Sequence, residues 1–232
     1  MEWKSIHFNG NSWLAFRLGE QALLLRPDII DETIIEFIRN TARSIESAKI
    51  DGIVDVIPAY ESLTLIFSSS ELIMMDTIAD LIEEKVSTKN SSYKTYEVPV
   101  CYEFGLDWLE IEEHIGLAKE EVIKIHSSKT YTIAMMGFLP GFIFLEGMDK
   151  KIQVPRKKSP RIEIPKGSIG IGGSQTGIYS LESPGGWQII GKTPLSFFSI
   201  SENPPISVEA GDRIKFIPIS EEEFSLVGAK HG

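Results

Sequence analysis

The chain is poor in residues that staple a fold, cross a bilayer or hold a metal. Of its 232 residues only Cys101 is cysteine, which excludes an internal disulfide framework and fits a reducing compartment. Four histidines, His7, His114, His126 and His231, are scattered without ligand spacing, so no metal site is expected. No apolar run approaches the roughly 18 residues that a spanning helix requires. The opening MEWKSIHF lacks a basic stretch followed by an apolar run, so no secretory signal is visible and a cytoplasmic location is expected. Positive charge is short as well: 23 Lys and Arg against 33 Asp and Glu leave a net charge of −10. That balance argues against nucleic acid or an anionic membrane as partner.

What is present suits a globular protein. Hydrophobic residues make up 42% and charged residues 24%, and the length allows one large or two modest domains. Residues 13–17 and 22–25 are short strand candidates joined near Gly19-Glu20. Asp28 is placed to cap a helix with Ile30, Ile34, Ile38, Ala42 and Ile45 on one face. IVDVIPAY and LTLIF read as strands, separated by a turn at Glu61-Ser62. Ser68 and Glu71 have capping-box spacing for a second helix that turns Leu72, Met75, Ala79 and Ile82 inward. The polar STKNSSYK is a boundary, and TYEVPV follows as a strand. The resulting β-α-β-β-α-β order, with an extra leading hairpin, predicts a ferredoxin-like split βαβ domain over residues 1–92.

The remainder, residues 93–232, has a different texture. Residues 107–115 and 119–125 form two short helical patterns broken at Gly116, and no further helix is expected after Thr130. Short β-rich segments alternate with Gly and Pro turns, as in a sandwich or closed barrel, and the turn at 210–212 leads into a last strand over 213–217. Between Pro165 and Gly191, eight of 27 residues are glycine, with β-formers such as Ile169, Ile171, Ile178 and Tyr179 among them. That mixture predicts strands with close backbone approach, and a bound ligand is one common reason for it.

Several motifs carry possible chemistry. Gly186–Thr193 spells G-x-x-x-x-G-K-T, but WQII is β-forming and Pro194 follows at once, so a phosphate loop is not expected. Arg156 and Arg161 sit in a repeated Pro-Arg inside a local basic run, and arginine's planar fork suits carboxylate or phosphate; a solvated basic loop is the plain alternative. Gln175, Thr176, Tyr179, Gln188 and Thr193 offer uncharged donors and acceptors suited to an amide or lactam, or else satisfy strand ends. His126 is the best acid–base candidate, with a helix C-terminal role as its alternative. Cys101 beside Glu103 reads as a small buried hydrophobe rather than a nucleophile.

The ordered motifs MMGFLPGFIFL, PRKKSPR, PKGSIGIGGSQTGIYSLESPGGWQIIGKTP and AGDRIKF together resemble the KipI family, also called the B-type component of 5-oxoprolinase or allophanate hydrolase subunit 1. The resemblance runs over essentially the whole chain. It implies an α+β protein with an N-terminal ferredoxin-like domain and a C-terminal cyclophilin-like β-barrel. It further implies a subunit of an ATP-dependent 5-oxoprolinase, inactive alone, working with a KipA-like partner and a LamB/YcsF-type subunit. The alternatives within the family are inhibition of a sensor histidine kinase, for which Phe138, Phe142 and Phe144 would form an exposed apolar patch, and urea or allophanate processing. The family pattern carries over onto Gly137, Pro140, Gly141, Phe142, Arg156, Arg161, Gln175, Thr176, Gly177 and Tyr179, then onto residues 184–188 and Thr193-Pro194. On this resemblance Gln175, Thr176, Tyr179, Trp187 and Gln188 are expected to bind the lactam, Arg156 or Arg161 to hold its carboxylate or a phosphorylated intermediate, and His126 or Glu103 to shuttle a proton. The chain departs from the family pattern at Cys101-Tyr102-Glu103 and at Phe144-Leu145-Glu146, which alters the barrel rim.

Overall fold

The structure is a computed structural model that describes residues 3–8, 10–28, 33–73, 78–85 and 93–231. The chain divides into two compact units, Met1–Ser92 and Tyr93–Gly232.

In the first unit, β1 (Lys4–Phe8), β2 (Asn11–Leu18) and β3 (Ala22–Pro27) precede helix α1 (Ile34–Ala48), and β4 (Ile53–Pro58) and β5 (Leu63–Phe67) precede helix α2 (Ile78–Lys85). The strands form one antiparallel sheet in the order β1-β2-β3-β5-β4. The β2–β3 turn falls at Gly19, whose φ of +70° is open to a residue without Cβ. Helix α1 buries Ile34, Ile38, Ala42 and Ile45, the one-face spacing that a 3.6-residue period requires. These side chains meet Trp13, Leu23, Leu25, Leu63 and Leu65 from alternate positions of the strands.

Three expectations change here. Helix α1 begins at Ile34 behind Thr33, and Asp28 instead donates its backbone N–H to the Ser12 carbonyl at 2.9 Å, at the end of the β2–β3 hairpin. Ile30 and Met75 lie outside the described residues. The serine that caps after β5 is Ser69, whose hydroxyl accepts from the Glu71 N–H at 3.3 Å in a short 3-10 turn, rather than Ser68. Finally, TYEVPV does not complete this sheet. It belongs to the second unit, and the free side of β3 is taken by β2 from the leading hairpin.

The second unit contains β6 (Thr95–Val100), helices α3 (Trp108–Ile115) and α4 (Lys119–Ser128), then β7 (Thr130–Met136), β8 (Ile143–Glu146), β9 (Arg161–Ile164), β10 (Ser168–Gly172), β11 (Gln175–Ile178), β12 (Ser183–Gly185), β13 (Gln188–Lys192), β14 (Arg213–Pro218) and helix α5 (Glu221–His231). Seven strands form a sheet in the order β13-β10-β11-β8-β7-β14-β6, and β9 pairs with β12. The sheet curls until its two ends meet. Cys101, just past β6, exchanges both backbone hydrogen bonds with Lys192 of β13, at 2.9 and 3.0 Å. Inside lie Val98, Tyr131, Ile133, Ile143, Leu145, Ile169, Ile171, Ile178 and Phe216. Gly116 ends α3 with φ +71°, as its sequence position implies. Helix α5 overturns the expectation of no helix after Thr130.

Candidate functional site

The glycine-rich strands are built around one indole. Trp187 is buried, and a Cβ added at Gly172 would lie 2.8 Å from its ring atoms, at Gly170 3.1 Å from its Cβ, and at Gly177 3.0 Å from its Cζ3. The missing side chains therefore make room for Trp187 itself, not for an open wall facing a ligand. Phe142 and Phe144 meet the same indole edge-to-face at 5.5 and 5.7 Å, and Phe142 meets Tyr179 at 4.8 Å. Tyr179 is thus a core residue, and burial pushes its phenol up to about 12.

Above this cluster sits a charged clamp centred on Asp107. Asp107 occupies the position before α3, and its carboxylate is buried. It accepts from both terminal nitrogens of Arg161, from Lys157 Nζ at 3.0 Å and from the Ile189 N–H at 2.6 Å. Burial alone would raise this carboxyl, but Arg161, the Ile189 amide and Lys157 outweigh it and hold it below the usual carboxylate value. Lys157 also pairs with Glu110, which with Gln188 holds the Glu110 carboxyl low. The clamp ties α3 to the 157–161 segment across about fifty residues of sequence and to β13 across 82.

Beside the clamp opens a cavity of 570 Å³, within the usual range for small-molecule sites. Glu110, Glu113 and His114 line it from α3, Arg156, Lys157 and Lys158 from the extended segment, and Gln188 from β13. Gln188 is buried; its Nε2 donates to Glu110 Oε1 at 2.9 Å and to the Pro155 carbonyl at 3.4 Å. Two acceptors on that side fix the amide's orientation, and its Oε1 has no hydrogen-bond partner. Arg156 is exposed and lies over the Trp187 ring, 5.7 Å from its centroid, as a stacked cation.

Arg156 and Gln188 are the two expected site residues that the structure brings to this cavity. Arg161 is taken up by Asp107, so its fork already grips a carboxylate of the chain itself. Thr176 and His126 lie in the core. Thr176 Oγ1 donates to the Gly170 carbonyl at 3.0 Å, so toward His126 Nε2, also at 3.0 Å, it accepts. The His126 proton is therefore on Nε2, and Nδ1 accepts from the Tyr102 hydroxyl at 2.8 Å. Burial drives the imidazole down to about 3. A fully enclosed ring with both nitrogens engaged has no reach to a substrate, which corrects its assignment as proton shuttle. Gln175 begins β11 half-buried and Glu103 is exposed on a 3-10 turn, where it accepts from Cys101 Sγ at 3.3 Å; neither lines the cavity. Burial, followed by the Glu103 contact, raises the Cys101 thiol. The G-x-x-x-x-G-K-T stretch is the strand β13 and its preceding turn, as its composition implied. Among the described residues no group of three or more metal-ligating side chains gathers.

Asp107, Glu110, Glu113, His114 and Lys158 were not singled out from the sequence. The i, i+3, i+4 spacing of Glu110, Glu113 and His114 on one helix face was the available signal.

A model of the carboxyltransferase domain, subdomain C and D, matches residues 13–208, and the chain belongs to that family. It is 41% identical over 224 residues to the B-type component of the 5-oxoprolinase of Bacillus subtilis (strain 168), covering 90% of this chain and 93% of that one. It is 37% identical over 174 residues to the corresponding 5-oxoprolinase component of Escherichia coli O157:H7, covering 73% and 80%. Among solved structures, TTHA0988 aligns with a TM-score of 0.76 at 29% identity over 86% of this chain, which spans 40% of the length of that one. The two 5-oxoprolinase relatives carry the same name that the ordered motifs pointed to.

Proposed function

We propose that this chain is a subunit of an ATP-dependent 5-oxoprolinase, acting with a KipA-like partner and a LamB/YcsF-type subunit and without turnover of its own. The observation that carries this reading is the match to a 5-oxoprolinase component over 90% of this chain and 93% of that relative. The chemistry fits the division of labour. A five-membered lactam is a stabilised amide; adding water across its C–N bond gives a carboxylate and an amine that takes up a proton, and coupling to ATP cleavage drives the ring opening. In this chain the residues that would look like a phosphate loop are a strand, so ATP belongs to the complex and no site for it is assigned to this chain. The chain's own contribution is binding. Arg156, steadied on Trp187, presents its guanidinium to the carboxylate of 5-oxoproline, with Lys158 beside it in the same cavity. The buried free cysteine suits a cytoplasmic setting.

A kinase-inhibitor role would draw on a broad apolar surface around three phenylalanines. Phe142 is buried, Phe144 packs on Trp187, and of the three Phe138 alone projects, at 66% exposure. The enzyme-subunit reading is therefore preferred.

The test is 5-oxoproline-dependent ATP hydrolysis by the chain purified with its partner subunits. Activity is expected only with all subunits present. Arg156→Ala is expected to raise KM for 5-oxoproline about tenfold, the worth of a charged hydrogen bond to a carboxylate. An unchanged KM would remove Arg156 from substrate binding.

A further inference from the structure

The charges around the cavity suit more than a single carboxylate. Lys157 is engaged by Asp107 and Glu110, and Glu110 is also held by Gln188. Among the described residues lining it, Arg156, Lys158 and Glu113 make no ion pair, which leaves two cations and one carboxylate available to a ligand.

We propose that this cavity binds an α-amino dicarboxylate, the ring-opened product of the reaction above, in preference to the lactam. The identity of that product rests on the proposed function; the charge pattern does not. Glutamate brings two carboxylates for Arg156 and Lys158 and one ammonium for Glu113, so each available charge finds its opposite. 5-Oxoproline has one carboxylate and no cation. It leaves Glu113 and one of the two basic groups unmatched, with Glu113 a repulsive neighbour for any anion. Ring opening creates the second carboxylate and the ammonium together, so the cavity distinguishes the two sides of the reaction by charge count. Glu113 is the specificity residue, because it separates an amino acid from a plain diacid.

Isothermal titration of the full chain with glutamate, 5-oxoproline and glutarate tests this, since glutarate keeps both carboxylates and lacks the ammonium. Glutamate is expected to bind about fivefold or more tightly than either of the others, the upper worth of a part-exposed ion pair. Glu113→Gln is expected to bring glutamate to the level of glutarate, while Lys158→Ala weakens both alike. Glutarate or 5-oxoproline binding as well as glutamate, or no binding of glutamate, overturns the proposal, and the ligand comparison on the unaltered chain is independent of how any variant folds. If glutamate fails to bind while the full complex hydrolyses ATP with 5-oxoproline, only this inference falls. If glutamate binds as expected and the complex shows no such hydrolysis, the oxoprolinase reading falls and the cavity remains an amino-dicarboxylate site.

Discussion

Sealed between Tyr102 and Thr176, the His126 ring makes folding stability depend on pH. Its folded value is about 3, against an ordinary value of 6.5 in the unfolded chain. Above about pH 6.5 both states carry the neutral ring and the full contribution is present. As pH falls from there toward 3, the unfolded chain takes up a proton that the folded one refuses. Stability then drops by up to about 1.4 kcal/mol per pH unit from this group. Denaturant unfolding at pH 7, 6 and 5 should show that slope for the wild type and a shallower one for His126→Gln; parallel profiles would refute it. Gly172 offers a second check. A methyl there meets the Trp187 ring at 2.8 Å, so Gly172→Ala is expected to cost about 1–3 kcal/mol, read as a lower denaturation midpoint. The glycine pattern was legible in the sequence as close approach, but its occupant was not. A bound ligand and a buried indole both require bare backbone, and only the packing of Trp187 distinguishes them.

The clamp on α3 belongs to the scale of elements. Asp107→Ala removes one buried carboxylate and leaves Arg161 and Lys157 facing each other, and is expected to cost about 3 kcal/mol of stability in denaturant unfolding. A loss under about 0.5 kcal/mol would mean that the ion pairs do not hold the helix in place. Helices α3 and α4 were readable because their breaks are local: Gly116 ends one, and the period of apolar residues marks both. The partners of Asp107 were not, since Lys157 and Arg161 lie about fifty residues away and no local pattern links them. Helix α5 was missed because EEEFSLVGAKH has no sustained apolar stripe; its signal was the three glutamates in its first turn, which favour the helix N-terminus. TYEVPV was recognised as a strand and counted into the β-α-β-β-α-β order, although the boundary after residue 92 already set it in the second unit. Neighbours in sequence often pair, yet β6 runs parallel to β14, more than a hundred residues later. Alternation within residues 156–158 sets a further constraint, because Lys157 joins the clamp while Arg156 and Lys158 stay free of it.

For the whole molecule, each unit has its own apolar core, one around Trp13 and Ile38, the other around Tyr131 and Phe216. A fragment starting at Tyr93 should therefore fold by itself and unfold in a single cooperative transition, followed by circular dichroism and tryptophan fluorescence. A broad, non-cooperative transition would show that the second unit needs the first. Closure of the curled sheet has a practical corollary. The chain's one thiol stands on the seam, where Cys101 meets Lys192, and burial keeps it protonated and out of reach. Nature has thus left a built-in reporter at the place where the two ends of the sheet join. The speed at which an alkylating reagent marks Cys101 in the unaltered protein should measure how often the cylinder comes undone, with no label having to be engineered.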